Sequence, residues 1–318
     1  MLARSLLCPL ITIVALALAP RSYSNQTQTQ SSSVALTSNT LAYHGGPLLT
    51  EPSVINVYLV WYGFFSIKDR NSILDFFASF NPEVIDPHLK PSVLTWWKIT
   101  GSYKDKAQKP VSRAFRVVKQ VADVYSLGKN IRRAQIADVV KNNIKAKRLP
   151  EDSKGFYLVL TSKDTIVEKF CRDSCGFHDS AQLSKVKVVY AHVGDSGQCP
   201  GFCAWPYAVP AYGPGPALVA PNGVSADGII INIATVLAGA ATNPYKNGYF
   251  QGNALAPLEA VSACPGIFGA GAYPGYPGKL IVDKTSKASY NAYGANGKKF
   301  LLPAIWDLPT SVCKAVAA

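Results

Sequence analysis

An apolar stretch of small residues from Ile229 to Ala241 constrains the fold more than any other part of this chain. Its larger apolar side chains recur at three- and four-residue spacing, which is the period of one helix face. Polar side chains are so few on the other faces that the helix is expected to be buried on most sides. Gly239 lowers helix stability by about 1 kcal/mol relative to alanine, so we expect a neighbouring group to pack closely there. The sequence therefore predicts a central buried helix over about 227–241, ended by Asn243 and Pro244.

The second half of this stretch resembles the active-site helix of a zincin-like metallopeptidase group, whose pattern is close to His-Glu-Leu-Ala-Glu-Ala-x-Thr-Asp-Pro. At the matching positions, Thr235 and Gly239 stand in place of two metal ligands and Val236 in place of the general base. Zinc is held by His, Cys or carboxylate groups, and hydrolysis needs a base beside the bound water. The resemblance therefore implies a degenerate zincin-like fold with no metal and no cofactor. An ordinary buried helix is the alternative.

The N-terminus is typical of an exported protein. Residues 1–24 combine the basic Arg4, an apolar run and small residues before a cleavage point ahead of Asn25, as in a secretory signal peptide. No later segment reaches the roughly 20 apolar residues of a membrane anchor, so we expect a secreted protein with no anchor. Residues 25–40 are rich in Gln, Ser and Thr and are expected to be disordered. Asn25 begins the single glycosylation triplet of the sequence.

Six cysteines follow the predicted signal peptide, and an even number favours three disulfides in an exported chain. They are Cys171, Cys175, Cys199, Cys203, Cys264 and Cys313. Connectivity does not follow from spacing alone, but we favour cross-linking within residues 171–203 and a bridge from Cys264 to Cys313. The two Cys-x3-Cys pairs leave a four-cysteine zinc site open as an alternative.

Strand and helix patterns alternate along the rest of the chain. Strands are predicted at Val54–Phe65, Gly155–Thr161 and Val186–Val193, helices after Ser66, after Pro91 and over Thr165–Phe170, and a late strand pair at Lys279–Asp283 and Lys299–Leu302. This alternation predicts an α/β or α+β fold. We expect a single compact domain over residues 41–318, with a mixed sheet, the central helix and Gly/Pro-rich loops stapled by disulfides.

Residues 104–148 form a basic segment, with 13 Lys and Arg against three Asp. Its net charge of +10 is most of the +13 of the whole chain. A solvated surface is the simplest interpretation, and attraction to an acidic cell-wall polysaccharide is the functional one. Nucleic acid is not an expected partner outside the cell. Arginine can hold a carboxylate with two hydrogen bonds, and the candidates for this are Arg113, Arg116, Arg132 and Arg133.

Several long motifs resemble one family of plant extracellular proteins. They are Tyr43–Leu49, Ile55–Gly63, Cys199–Pro206, Asn243–Gly252 and Gly271–Gly278. On these motifs the chain resembles the EXORDIUM and phosphate-induced protein family from about residue 41 to its end. The resemblance implies an exported protein of the apoplast or cell wall that promotes or modulates growth, linked to brassinosteroid or carbon-status responses. It brings no established catalytic residues.

Two classes of function remain open at this point. The first is a non-catalytic protein that binds a wall polysaccharide or an unknown cell-surface protein. The second is a hydrolase acting on wall glycan or peptide, which in the glycan case needs paired carboxylates. The acids in Gly-rich surroundings are Asp195, Asp227, Glu259 and Asp283. The four histidines have no metal-binding spacing and are interpreted as structural or surface residues.

Overall fold

The computed structural model of the chain describes residues 40–183, 186–208 and 217–316. The predicted signal peptide, Asn25 and all but the last residue of the 25–40 segment lie outside these ranges. Their predictions are therefore not tested by the fold.

The described residues form five α-helices and fifteen strands. The helices are α1 (Ile67–Ala78), α2 (Val93–Trp97), α3 (Gln135–Lys145), α4 (Pro200–Cys203) and α5 (Val224–Thr242). The strands are β1 (Ala42–Tyr43), β2 (Val54–Tyr62), β3 (Ala114–Asp123), β4 (Asn130–Ile131), β5 (Phe156–Thr161), β6 (Ile166–Val167), β7 (Gly176–Gln182), β8 (Lys187–Gly194), β9 (Tyr249–Phe250), β10 (Ile281–Val282), β11 (Ser289–Tyr290), β12 (Ala292–Tyr293), β13 (Lys299–Phe300), β14 (Ile305–Asp307) and β15 (Val312–Lys314).

A five-stranded mixed sheet in the order β3-β2-β5-β8-β7 forms the centre of the fold. The first four strands are parallel, and β7 runs antiparallel to β8. Strands of a parallel sheet are covered on both faces, which explains why β2 is an almost continuous run of β-branched and aromatic residues. It ends at Tyr62, before the predicted Phe65, because Gly63 takes a positive φ of 91° and turns the chain toward the helix cap Ser66.

Helices cover both faces of this sheet, which confirms the predicted mixed α/β architecture. Side chains of α1, α2 and α5 pack on one face, and those of α3 pack on the other. The sequence sets two of the helix starts locally. Ser66 caps α1 by accepting the Asp69 N–H, and Ser92 and Thr95 form a capping box at α2.

Helix α5 is the predicted central helix, with 15 of its 19 residues buried. It begins at Val224, three residues earlier than predicted, directly after Gly223 with a φ of 110°. Its length and mean hydropathy of 1.7 are sufficient for a membrane span, so the prediction that no later segment is long enough is wrong. In the fold, however, 78% of its most apolar 18-residue window is buried inside the protein, as in the core helix of a globular domain.

Three disulfides tie loops to this framework. Cys171–Cys199 and Cys175–Cys203 join the residues before β7 to those around α4. Cys264–Cys313 joins β15 to the loop after β9. These pairings are the cross-linked 171–203 cluster and the C-terminal bridge that the sequence favoured.

Two predicted elements are wrong. Residues 165–170 do not form a helix, because the β-branched pair Ile166–Val167 becomes β6 and pairs in parallel with β4. The late strands at 279–283 and 299–302 do not pair with each other. Instead β10 pairs with β11 and β12 with β13, since each hairpin closes a much shorter loop.

Candidate functional site

Strand β3 carries the first two candidate arginines at one edge of the sheet. Among the described strands only β2 pairs with it. Arg113 lies just before the strand and donates its backbone N–H to the Ser53 carbonyl at 2.8 Å, while Arg116 lies opposite Asn56. Both arginines and Lys119 are exposed, and none has an ion-pair partner within the described ranges. We refer to Arg113, Arg116 and Lys119 as the β3 basic surface.

The other two candidate arginines lie elsewhere, between β4 and α3. Arg133 is half-buried, and its guanidinium carbon sits 3.7 Å from the ring centre of Phe177 on β7, at the opposite edge of the sheet. Burial lowers the pKa of Arg133, while the nearby charges of Asp179 and Glu168 oppose that shift. The structure therefore separates the four arginines into two pairs, and acids already neighbour Arg133 of the second pair.

A cleft of about 1170 Å³ adjoins the start of β3. It lies between the end of α1, the turn at residues 82–84, α2 with the turn that follows it, and residues 110–117. Its charged lining residues are Lys98, Arg113 and Arg116 against one carboxylate, Glu83. The rest of the lining is mainly apolar, so the cleft combines an apolar interior with a net positive rim.

An aromatic cluster forms the wall of this cleft. The Trp97 ring lies 5.2 Å from that of Phe115 and 5.6 Å from that of Phe80, each in an edge-on arrangement. The Trp97 indole N–H donates to the Ser112 carbonyl at 2.9 Å. Trp96 and Trp97 are both almost fully buried and belong to the core.

The three positions that match the zincin-like pattern lie in the second half of α5 and contribute no metal-binding group. The Thr235 hydroxyl donates to the Ile231 carbonyl of its own helix at 2.9 Å. Val236 is buried against Gly176 of β7. At Gly239 an added Cβ would lie 2.3 Å from a carboxylate oxygen of Glu259 and 2.9 Å from Nε2 of His178. Gly239 is therefore the point of close packing that the sequence predicted in this helix.

His178 and Glu259 form a buried pair beside α5 that the sequence did not reveal. Nε2 of His178 lies 2.8 and 2.9 Å from the two carboxylate oxygens, and the Asn243 side-chain amide donates to the same carboxylate at 2.7 Å. Only 7% of the His178 side chain and 14% of the Glu259 side chain are exposed. The two residues are 81 positions apart, and no motif links them. The pair fastens β7 to the segment that follows β9.

Each of the four candidate carboxylates has its own set of partners. Asp195 accepts from the Ser225 hydroxyl, Glu259 pairs with His178, and Asp283 pairs with Lys299. Asp227 is buried and accepts from the backbone and side chain of Asn222 at 2.7 and 2.8 Å. Burial raises the pKa of Asp227 to about 7. None of these contacts joins two of the four acids directly.

The clustered cysteines form disulfides, and His192 is buried in the core. Sγ atoms of Cys171, Cys199 and Cys203 lie within 4.8 Å of one another, but all three belong to disulfides and are not thiolates that hold zinc. His192 is fully buried beside the Thr161 hydroxyl at 2.9 Å. Burial lowers the pKa of His192 to about 3, which keeps it neutral.

A family model and several relatives from plants match most of this chain. A family model described as the phosphate-induced protein 1 conserved region matches residues 41–316. EXORDIUM-like 2 of Arabidopsis thaliana is 46% identical over 285 residues, covering 87% of this chain and 89% of the relative. PHOSPHATE-INDUCED 1 of Nicotiana tabacum is 45% identical over 285 residues, with 87% and 88% covered. EXORDIUM of Arabidopsis thaliana is 46% identical over 291 residues, with 87% and 89% covered.

No solved structure matches the chain, so the zincin-like resemblance stays a prediction. None of the three relatives has a name that states a catalytic activity. The family match begins at the motifs near residue 41 and runs through the last described residue. The chain therefore belongs to the phosphate-induced protein 1 family, together with the EXORDIUM proteins.

Proposed function

We propose that this protein is a secreted, non-catalytic component of the plant apoplast or cell wall that modulates growth by binding an acidic polysaccharide. The observation that carries the proposal is the β3 basic surface, whose three cations are exposed and have no ion-pair partner among the described residues. Export rests on the predicted signal peptide, and the link to growth rests on the family resemblance.

The chemistry of the β3 basic surface suits a polyuronide such as demethylated pectin. A guanidinium can bind a carboxylate with two parallel hydrogen bonds, whereas Lys119 gives a looser contact. Each exposed ion pair contributes only about 0–1 kcal/mol, so affinity must arise from repeated contacts along the polymer. Screening at physiological ionic strength shortens the range of these contacts to about 8 Å, so binding should weaken steeply with added salt.

The test is retention of the secreted protein on a polygalacturonate column under a salt gradient. Arg113→Glu with Arg116→Glu should elute at clearly lower salt than the wild type. Lys279→Glu with Lys284→Glu is the matched control, because it makes the same charge change at exposed positions outside the basic segment. Arg132→Glu with Arg133→Glu should have the smaller effect of the two arginine pairs, since acids already neighbour Arg133.

Two results would contradict the proposal. Equal retention of the Arg113/Arg116 variant and the wild type would show that the β3 basic surface is only a solvated face. Release of shortened oligosaccharides from polygalacturonate by the pure protein would contradict the non-catalytic part, and would favour the hydrolase alternative.

A further inference from the structure

The cleft beside β3 has an interior that is unsuited to a sugar chain. Most of its lining is apolar, and two of its hydroxyl groups already donate hydrogen bonds inside the protein. The Thr100 hydroxyl donates to the Trp97 carbonyl at 2.8 Å, and the Ser112 hydroxyl donates to the Pro52 carbonyl at 2.6 Å. A buried hydroxyl without a partner is strongly unfavourable, so a ligand that carries a hydroxyl on most of its carbons would find few partners here.

Side-chain carbonyls in the lining are engaged in the same way. The Asn81 carbonyl accepts the Glu83 N–H at 3.1 Å, and that of Gln120 accepts the Trp61 indole N–H at 2.8 Å. The rim also carries the four charged groups of the lining. Three of these four groups are cations, so a bound molecule needs an anionic head at the rim and an apolar body inside.

From these features we infer that the cleft is a binding site for a long-chain carboxylate of the fatty-acid type. The carboxylate lies at the rim with Arg113 and Arg116, and the chain lies along the accessible apolar lining residues Leu74, Val84, Leu94 and Val117. Pockets for small molecules are typically apolar, with a few polar groups that fix the orientation of the ligand. The cleft fits this description, because its lining is mainly apolar and its charged groups lie at the rim. The site shares Arg113 and Arg116 with the β3 basic surface, but its apolar interior is separate from the exposed outer surface of β3 on which polysaccharide binding is proposed.

Chain length and head-group charge provide the direct test. Octanoate, decanoate and dodecanoate are titrated into the secreted protein by calorimetry, each below its micelle concentration. Affinity should rise about fourfold for each methylene that enters the apolar interior. Dodecanol should bind more weakly than dodecanoate, because it lacks the charge that the two arginines recognise. Absence of binding, or affinity independent of chain length, would overturn the inference.

Variants distinguish the cleft from the β3 basic surface. Gly101 lines the cleft, and a Cβ there would meet no atom within 4 Å, so Gly101→Phe fills open space without disturbing the fold. Val84 is 47% exposed in the same lining, so Val84→Asp adds a repelling charge at low structural cost. Both variants should weaken dodecanoate binding at least tenfold, keep the melting temperature of the wild type and retain polygalacturonate binding.

The two proposals fail in different ways. If Arg113→Gln with Arg116→Gln weakens dodecanoate binding but not dodecanol binding, the arginines hold the head group as inferred. If Gly101→Phe abolishes binding of partly methyl-esterified pectin and leaves carboxylate binding unchanged, the cleft takes polysaccharide ester groups and the inference is wrong. A variant that loses polygalacturonate retention but keeps dodecanoate binding tests the proposed function and leaves the inference about the cleft unchanged.

Discussion

Replacing Gly239 with alanine tests why a glycine stands in the middle of the buried helix α5. Alanine favours the helix by about 1 kcal/mol. The new Cβ, however, would lie 2.3 Å from Oε2 of Glu259 and 2.9 Å from Nε2 of His178. Overpacking of this kind costs about 1–3 kcal/mol, and displacement of a buried hydrogen-bonded pair adds to that cost. We therefore expect Gly239→Ala to lower the free energy of unfolding by about 2 kcal/mol.

Urea unfolding measures this change, and a shift of the midpoint at constant slope reports it as a stability loss. Gly201→Ala is the matched control. It is also a helical glycine, but its Cβ would meet nothing within 4 Å, so it should be neutral or slightly stabilising. In a Glu259→Ala background the closest contact is gone, and the cost of Gly239→Ala should fall by at least half. A neutral or stabilising Gly239→Ala in the wild-type background would refute the reasoning.

Two further predictions concern stability. Replacing Cys264 and Cys313 together by alanine opens a cross-link between residues that are 49 positions apart. Loop entropy predicts that the free energy of unfolding, measured with urea, falls by about 4 kcal/mol. A fall of less than about 1 kcal/mol would contradict the loop-entropy account. Burial raises the pKa of Asp227 to about 7, so its contribution to stability is fully present below its ordinary pKa and is lost as pH rises through 7. The melting temperature of the wild type relative to Asp227→Asn should therefore fall from pH 4 to pH 8, and a constant difference would contradict the shift.

The parts of the fold that sequence predicted well are those whose signal is local. The apolar run of β2 and the small-residue run of α5 each specify an element that is buried on nearly every side. The cap at Ser66 depends on a contact three residues along the chain. Such contacts are present in almost any fold that the segment enters, so pattern alone identifies them.

The failures arise where pairing partners are distant in sequence. Residues 165–170 have a helix-like spacing, but β4 offers Ile166 and Val167 a parallel partner more than thirty positions earlier. The cleft is lined by segments from Ser53 to Gln120 that no single motif describes. His178 and Glu259 likewise meet only because β7 and the segment after β9 pack against the same turn of α5. No spacing rule predicts contacts of this kind.

Several cations of the basic segment are paired with acids or partly buried, so they are not free to bind a ligand. Lys109 pairs with Glu51, and Lys129 pairs with Asp164, although both acids lie outside residues 104–148. Arg133 is half-buried against Phe177. The net charge of +10 counted along the sequence therefore overstates what this region offers to a polyanion. Because Arg113 and Arg116 remain exposed and without ion-pair partners among the described residues, they are the cations on which the functional experiments should concentrate.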